Sequence, residues 1–297
     1  MSFNKYQDVD FVAHYTRAEA CLGILHSKKL WLTPKKETTD LLERRLAKKT
    51  SVMIHSESRA SIERSYFEDS SKASLEIAKI YRCIRQTSFC KTKPPKKIGF
   101  SEHFDIDYCC FMHQRMWEQY ASNYEGFCLI FSLSSLKANN PSVLFKDIKY
   151  VGIGHLNQIV NQDYLDADCY HNDKANYMVE ARNKAIDISL YKTCDYQEEN
   201  EVRALSISTE DNNKHLEMNI GDSLKAIAFF PNNSNTYTLN LIQAKVKEIA
   251  NDMGIEILYM NEDSLYPVSQ QEYNERIREV KEAVKKAREQ IEQSNTV

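Results

Sequence analysis

Short apolar runs alternate with longer polar stretches along the chain, and their periods sort into strands and helices. Phe11–Tyr15 is apolar and bounded by polar residues, which predicts a strand. Leu30–Thr33, closed by Pro34, predicts a second. Between them Thr16-Arg17-Ala18-Glu19 has the spacing of a capping box, with the Thr16 hydroxyl taking the amide of Glu19. Ala20, Cys21, Ile24 and Leu25 then form one helical stripe. Residues 36–92 contain neither Gly nor Pro and predict continuous helix, with Ile77, Ile80, Tyr81 and Ile84 at helical spacing before Pro94-Pro95.

Beyond the prolines, apolar runs predict strands at Lys97–Ser101, Tyr108–Met112, Phe127–Leu133, Val143–Val151, Val202–Ser208, Leu224–Phe230 and Ile255–Met260. Helical periods cover Arg115–Ser122, Tyr177–Ser189 and Thr238–Asp252. The tail from Gln270 to Gln293 predicts a charged helix. Its Ile277, Val280, Val284, Ala287 and Ile291 make a narrow stripe near heptad spacing, suited to docking on another helix of the chain or in a homodimer. Strands and helices mix along the chain, so a mixed α and β protein is expected.

Charge divides the chain unevenly. Lys35–Lys97 holds 16 Lys and Arg against 8 Asp and Glu, a local balance of +8, while the remainder carries −11. That contrast marks residues 35–97 as a basic helical insertion, either a solvated face or an arm that meets an acidic partner. A hydrophobic fraction of 42% is enough for a sizeable core. The first ten residues lack an apolar signal-peptide core, and no run reaches the ~20 apolar residues of a membrane span, so a cytoplasmic protein is expected. The eight cysteines form no CxxC pair and read as reduced thiols. His103, Cys109, Cys110 and His113 include metal-ligand types, but adjacent cysteines followed by Phe111 read as a buried strand, and no metal is expected.

Three patches combine residue types that carry chemistry. They are His14-Tyr15-Thr16 at a strand end, Met116-Trp117-Glu118-Gln119-Tyr120-Ala121 followed by Gly126, and Tyr196 followed by Glu199-Asn200-Glu201-Val202-Arg203. Each has a plain packing explanation by itself. A histidine at a strand end is often structural, and Trp117 and Tyr120 share a helical face that suits a core. Glu199 and Glu201 would alternate on a strand edge and point to the same side.

In this order the patches resemble a widespread uncharacterised bacterial family grouped by sequence with the ADP-ribosyltransferase superfamily. The resemblance covers residues 11–33 and roughly 98–268. It implies the α+β class, with an ADP-ribosyltransferase-like core of two small packed sheets over 1–34 and 98–268, interrupted by the insertion at 35–97 and followed by a C-terminal charged helix at 269–297. It also implies NAD as substrate. His14 would hold the ribose next to the nicotinamide, with Tyr15 and Thr16 beside it, and Tyr120 with Trp117 would form the aromatic wall. Glu201 would be the catalytic carboxylate, since breaking the bond from nicotinamide to ribose leaves an oxocarbenium-like centre that a carboxylate stabilises. Glu199 would position the acceptor, and Arg203 would neutralise a phosphate or hold the two glutamates apart.

The activity implied is cleavage of NAD with transfer of ADP-ribose to a protein or nucleic acid recruited through residues 36–97, as in a toxin or antiviral effector. Two other readings stand beside it: a nucleotide-binding sensor with the same pocket and no turnover, and a nucleic-acid-binding protein that uses the basic helices and whose pocket is vestigial. The basic stretch lacks aromatics regularly interleaved with Lys and Arg, which weakens the last.

Overall fold

The computed structural model describes residues 6, 8–38, 44, 53–55, 64–93, 96–98, 101–103, 109–161, 164–208, 214–231, 237–261, 267–268, 271–279, 281–282 and 285. Strand β1 (Phe11–Thr16) leads through α1 (Ala18–Ser27) into β2 (Lys29–Pro34). After β3 (Met53–His55), the long α2 (Arg64–Cys83) runs directly into β4 (Ile84–Lys91), and β5 (Lys96–Ile98) and β6 (Ser101–His103) form a hairpin. Then come α3 (Gln114–Tyr120), β7 (Phe127–Ser132), α4 (Leu133–Asn139), β8 (Leu144–Asp147) and β9 (Lys149–Val151). Next are α5 (Ile153–Asn161), β10 (Tyr164–Asp166), α6 (Ala167–Asn172), α7 (Lys174–Ile188), β11 (Tyr191–Thr193) and β12 (Glu201–Ile207). The chain continues through β13 (Leu216–Asn219), β14 (Leu224–Phe229), α8 (Tyr237–Asp252), β15 (Glu256–Met260) and β16 (Pro267–Val268). The protein is mixed α and β, with mostly antiparallel strands, in keeping with an α+β class.

Two compact units share the chain. The first comprises Met1–Lys28, Lys91–Ser135 and Gly221–Val297; the second comprises Lys29–Cys90 and Leu136–Ile220. In the first unit the strands lie in the order β1-β7-β14-β15-β16. All six residues of β7 are buried, as suits an internal strand whose first five residues are apolar. β14 and β15 are parallel, and α8 supplies the crossover that parallel neighbours need. The buried stripe of α1, Ala18, Cys21, Ile24 and Leu25, belongs to the face of a helix that packs with α8.

The second unit builds an antiparallel sheet in the order β13-β2-β4-β12-β8. Ile77 and Tyr81 of α2, Ala185 and Ile188 of α7, and Leu205 of β12 share its apolar core. β12 therefore has a partner on each side, β4 and β8. It is not the edge strand that the Glu199–Glu201 spacing suggested.

Several local expectations change, among them the single strands expected at Lys97–Ser101 and Val143–Val151, which divide into β5 with β6 and β8 with β9. Continuous helix over 36–92 does not hold, because the chain leaves α2 at Cys83 and is a strand from Ile84. No breaker is needed there: β12 takes over the backbone groups, and the Ser208 N–H donates to the Cys83 carbonyl at 2.8 Å. Much of the basic stretch, including Arg45, Lys48 and Lys49, lies outside the described residues. No capping box forms at Thr16, which stays in β1 opposite Phe127; the cap residue is Arg17, without a side-chain bond, and Ala20 is exposed. Cys109–Met112 is a buried turn, closed by the Met112 N–H on the Cys109 carbonyl at 3.0 Å, and not a strand.

Residues 271–279 are helical, and the Tyr273 ring stacks on Tyr259 at 4.3 Å. Of the expected heptad stripe only Ile277 can be placed; Val280, Val284, Ala287 and Ile291 lie outside the described residues. Among the described residues no helix is long and apolar enough to cross a membrane.

Candidate functional site

The approach to β12 decides where two carboxylates go. A 3-10 helix over Cys194–Glu199 ends on Asn200, which adopts the left-handed region at φ 43° and ψ 53°. Asparagine is one of the few side chains that take this conformation readily. Its reversal carries Glu199 at the helix end and Glu201 at the strand start both inward, each only 3% exposed. Glu201 is then fixed by its backbone: its N–H donates to the Tyr150 hydroxyl at 2.9 Å, and its carbonyl accepts from Ile148 at 3.0 Å.

Around the two glutamates the second unit closes an ionic cluster. Lys192 of β11 donates to Glu199 Oε2 at 2.6 Å and to Glu201 Oε2 at 3.2 Å. Arg203 Nε donates to Glu201 Oε1 at 2.8 Å, and its Nη1 reaches the Ser189 carbonyl at 2.6 Å. Ser88 of β4 donates its hydroxyl to Glu201 Oε1 at 2.5 Å. The Lys192 ammonium also lies 4.3 Å from the centre of the Tyr196 ring. Two cations thus face two carboxylates, and all four charged side chains are buried. Ser88 itself is exposed, so the Glu201 carboxylate lies one side chain beneath the surface of this unit.

Burial alone would raise the Glu201 carboxyl. The nearby Arg203 and Lys192 charges, with hydrogen bonds from Arg203 and Ser88, more than offset that and hold it at about 2 rather than 4.5. Burial, and then the negative charges of Glu201 and Glu199, push the Tyr150 phenol above its ordinary range, so it stays neutral. Because the folded carboxyl titrates below the unfolded one, Glu201 contributes stability above about pH 4.5 and loses it as pH falls towards 2. The contribution is on the order of 3 kcal/mol. Urea midpoints should therefore drop steeply through that window, and the drop should be shallower in Glu201→Gln, which has no proton to take up there.

The first unit holds the other candidate residues. On β1, His14 is half-buried opposite Leu129, while Tyr15 and Thr16 are buried. The Tyr15 hydroxyl donates to the Cys110 carbonyl at 2.9 Å and accepts from the His113 N–H at 3.2 Å. Trp117 is fully buried, with its indole N–H on the Phe111 carbonyl at 2.9 Å and its ring edge-on to Tyr15 and Phe230. These two aromatics clamp the turn at 109–113, and Trp117 has no face open to a ligand. Tyr120, at the end of α3, keeps part of its surface exposed.

Gly126 completes this patch for reasons of space. Ser122, Asn123 and Tyr124 make a left-handed turn with φ of 49°, 53° and 70°, and the Gly126 N–H returns to the Ala121 carbonyl at 2.7 Å. A Cβ on Gly126 would lie 2.2 Å from the Thr16 carbonyl oxygen and 2.9 Å from Ala121 Cα. The glycine therefore lets the α3 turn close directly on the end of β1.

The structure gathers Glu199, Glu201 and Arg203 into one cluster in the second unit, and it gathers Tyr15 and Trp117 into one core in the first. Lys192, Ser88 and Tyr150 were absent from the sequence reading. Ser88 was hidden by the helical reading of its segment. Cys110 is buried, and its thiol is pushed up to about 12, so it stays protonated. Among the described residues no group of three or more His, Cys, Asp and Glu is placed to hold a metal ion.

Residues 116–204 match a family described as "Protein of unknown function (DUF2971)". The matched span opens on the Met116-Trp117 pair and closes just after Arg203. No curated protein and no solved structure matches the chain.

Proposed function

We propose that this chain is an ADP-ribosyltransferase-like enzyme that cleaves NAD and transfers ADP-ribose to a macromolecular acceptor, as a toxin or an antiviral effector would. The observation that carries the reading is Glu201: a carboxylate held ionised by Arg203, Lys192 and Ser88 beneath an exposed serine. Cleavage breaks the bond between the ribose carbon and the nicotinamide nitrogen. The electron pair leaves with nicotinamide, and positive charge develops on the ribose. A fixed negative charge in a low-dielectric setting stabilises that centre more than water can.

Glu199, tied to the same lysine, positions the acceptor nucleophile. His14 and Tyr120 are the candidates of the first unit that keep exposed surface. Tyr15, Thr16 and Trp117 are buried in the core of that unit. Arg203 acts on Glu201 and not on a phosphate, because its Nε and Nη1 are committed to Glu201 and the Ser189 carbonyl.

One observation favours a second reading. The cluster is charge-balanced and closed, which equally suits a nucleotide-binding module without turnover. NAD labelled in its adenine, incubated with the purified chain and a cell lysate, separates the two. Label in the macromolecular fraction supports the transferase; saturable NAD binding with neither transfer nor nicotinamide release supports the sensor.

A further inference from the structure

The second unit contains a cavity of about 300 Å³ that shares no lining residue with the ionic cluster. Its apolar wall comes from Ile84, Leu144, Ile186, Leu205 and Ile207, and Arg182 of α7 stands at it with Asn183. Leu144 is 41% exposed and Ile207 half-buried, so the apolar surface is open to entry. Arg182 is exposed and makes no ion pair or hydrogen bond with another described residue.

The sheet adds polar groups to this wall. β8 begins at Leu144, opposite Leu205, so Ser206 and Ile207 extend past its paired residues. In an antiparallel ladder alternate residues turn their N–H and C=O to the same neighbour. The Glu201 carbonyl bonds Ile148, just past β8, whereas the Ser208 N–H bonds Cys83 at the head of β4. Ile207, in step with Glu201, therefore directs both backbone groups to the β8 side, beyond the last paired residue Leu144 and beside Ser142 of the cavity wall.

From an apolar cavity and an uncommitted guanidinium beside it, we infer that this is a binding site for a small amphipathic carboxylate, a medium-length acyl acid. The alkyl chain lies against Leu144, Ile186, Leu205 and Ile207. Arg182 takes the carboxylate in a charge-assisted, bidentate bond, which its planar fork favours. At ~30 Å³ for each water-sized group, the cavity accommodates roughly ten non-hydrogen atoms, the size of octanoate. Its volume falls at the small end of ligand sites. Each methylene removed from water strengthens binding about fourfold, so chain length sets affinity and the carboxylate sets selectivity. The inference does not depend on the NAD reading.

Calorimetric titration of the full chain with octanoate tests it, with 1-octanol and acetate as comparison ligands. Octanoate should bind saturably at one site, and octanol and acetate should each bind at least about tenfold more weakly. Arg182→Gln, at an exposed position, should keep the wild-type urea midpoint and weaken octanoate about tenfold or more. Ile186→Trp should fill the cavity and remove binding. Absence of saturable octanoate binding overturns the proposal, as does octanol binding equal to octanoate. Unchanged affinity in Arg182→Gln overturns it as well, whether or not Ile186→Trp folds.

Discussion

Glu201→Gln is expected to lower nicotinamide release from NAD by roughly 10²–10³-fold per folded molecule. The substitution keeps the size and planarity of the side chain and removes the charge that the proposed reaction sets against the developing oxocarbenium. It also unbalances a buried cluster, since Lys192 and Arg203 would then face Glu199 alone. Breaking a buried ion pair from one side typically costs about 3–5 kcal/mol, so a fall in stability accompanies the fall in rate. Pairing Glu201→Gln with Lys192→Met removes one charge of each sign and separates the two effects. The double variant should recover part of the stability, seen as a higher urea midpoint, and none of the activity. If activity returns together with stability, Glu201 acts only by holding the fold.

Gly126→Ala is expected to produce the largest loss of stability from a single methyl group, about 3 kcal/mol or more. The clash is with backbone on both sides, the Thr16 carbonyl and Ala121 Cα, and neither can swing away as a flexible side chain would. Relief requires moving the end of β1 or the α3 turn, whose Trp117 and Ala121 are fully buried. Gly23→Ala is the matched control. Gly23 lies within α1 with nothing within 4 Å of the added Cβ, so there the methyl should stabilise by about 0.5–1 kcal/mol. Urea denaturation of both variants reads the contrast. Equal, small shifts would mean that the glycine is not a spacing requirement.

Strongly periodic segments were legible from residues alone. β1, β2, β7, β12, β14, β15 and α8 lie within two or three residues of where apolar runs and helical periods placed them. What escaped notice depends on contacts distant in sequence. Ile84–Lys91 carries no breaker and no strict alternation, and only its pairing with β12 makes it a strand. Thr16 has the residue types of a cap, but its place opposite Phe127 in β1 outweighs a local bond worth about 1 kcal/mol. Cys109–Met112 is apolar enough for a strand, yet Tyr15 and Trp117 reach in to bond the Cys110 and Phe111 carbonyls and stabilise a turn.

The candidate site was legible to a similar degree. Glu199, Glu201 and Arg203 stood out by composition and do converge. Trp117 stood out as well, but for a packing role. Lys192 and Ser88 carry no local signature, since their part is set by register between β4, β11 and β12 and the reversal at Asn200.

Nicotinamide release from NAD by the purified wild-type chain tests the central claim most directly. It should be followed by chromatography with and without a cell lysate as the source of acceptor. The account predicts release above the uncatalysed background, stimulated by the lysate and suppressed in Glu201→Gln measured at equal folded concentration. A folded wild-type chain that releases no nicotinamide under either condition, or a Glu201→Gln variant that releases it at the wild-type rate, would contradict the account.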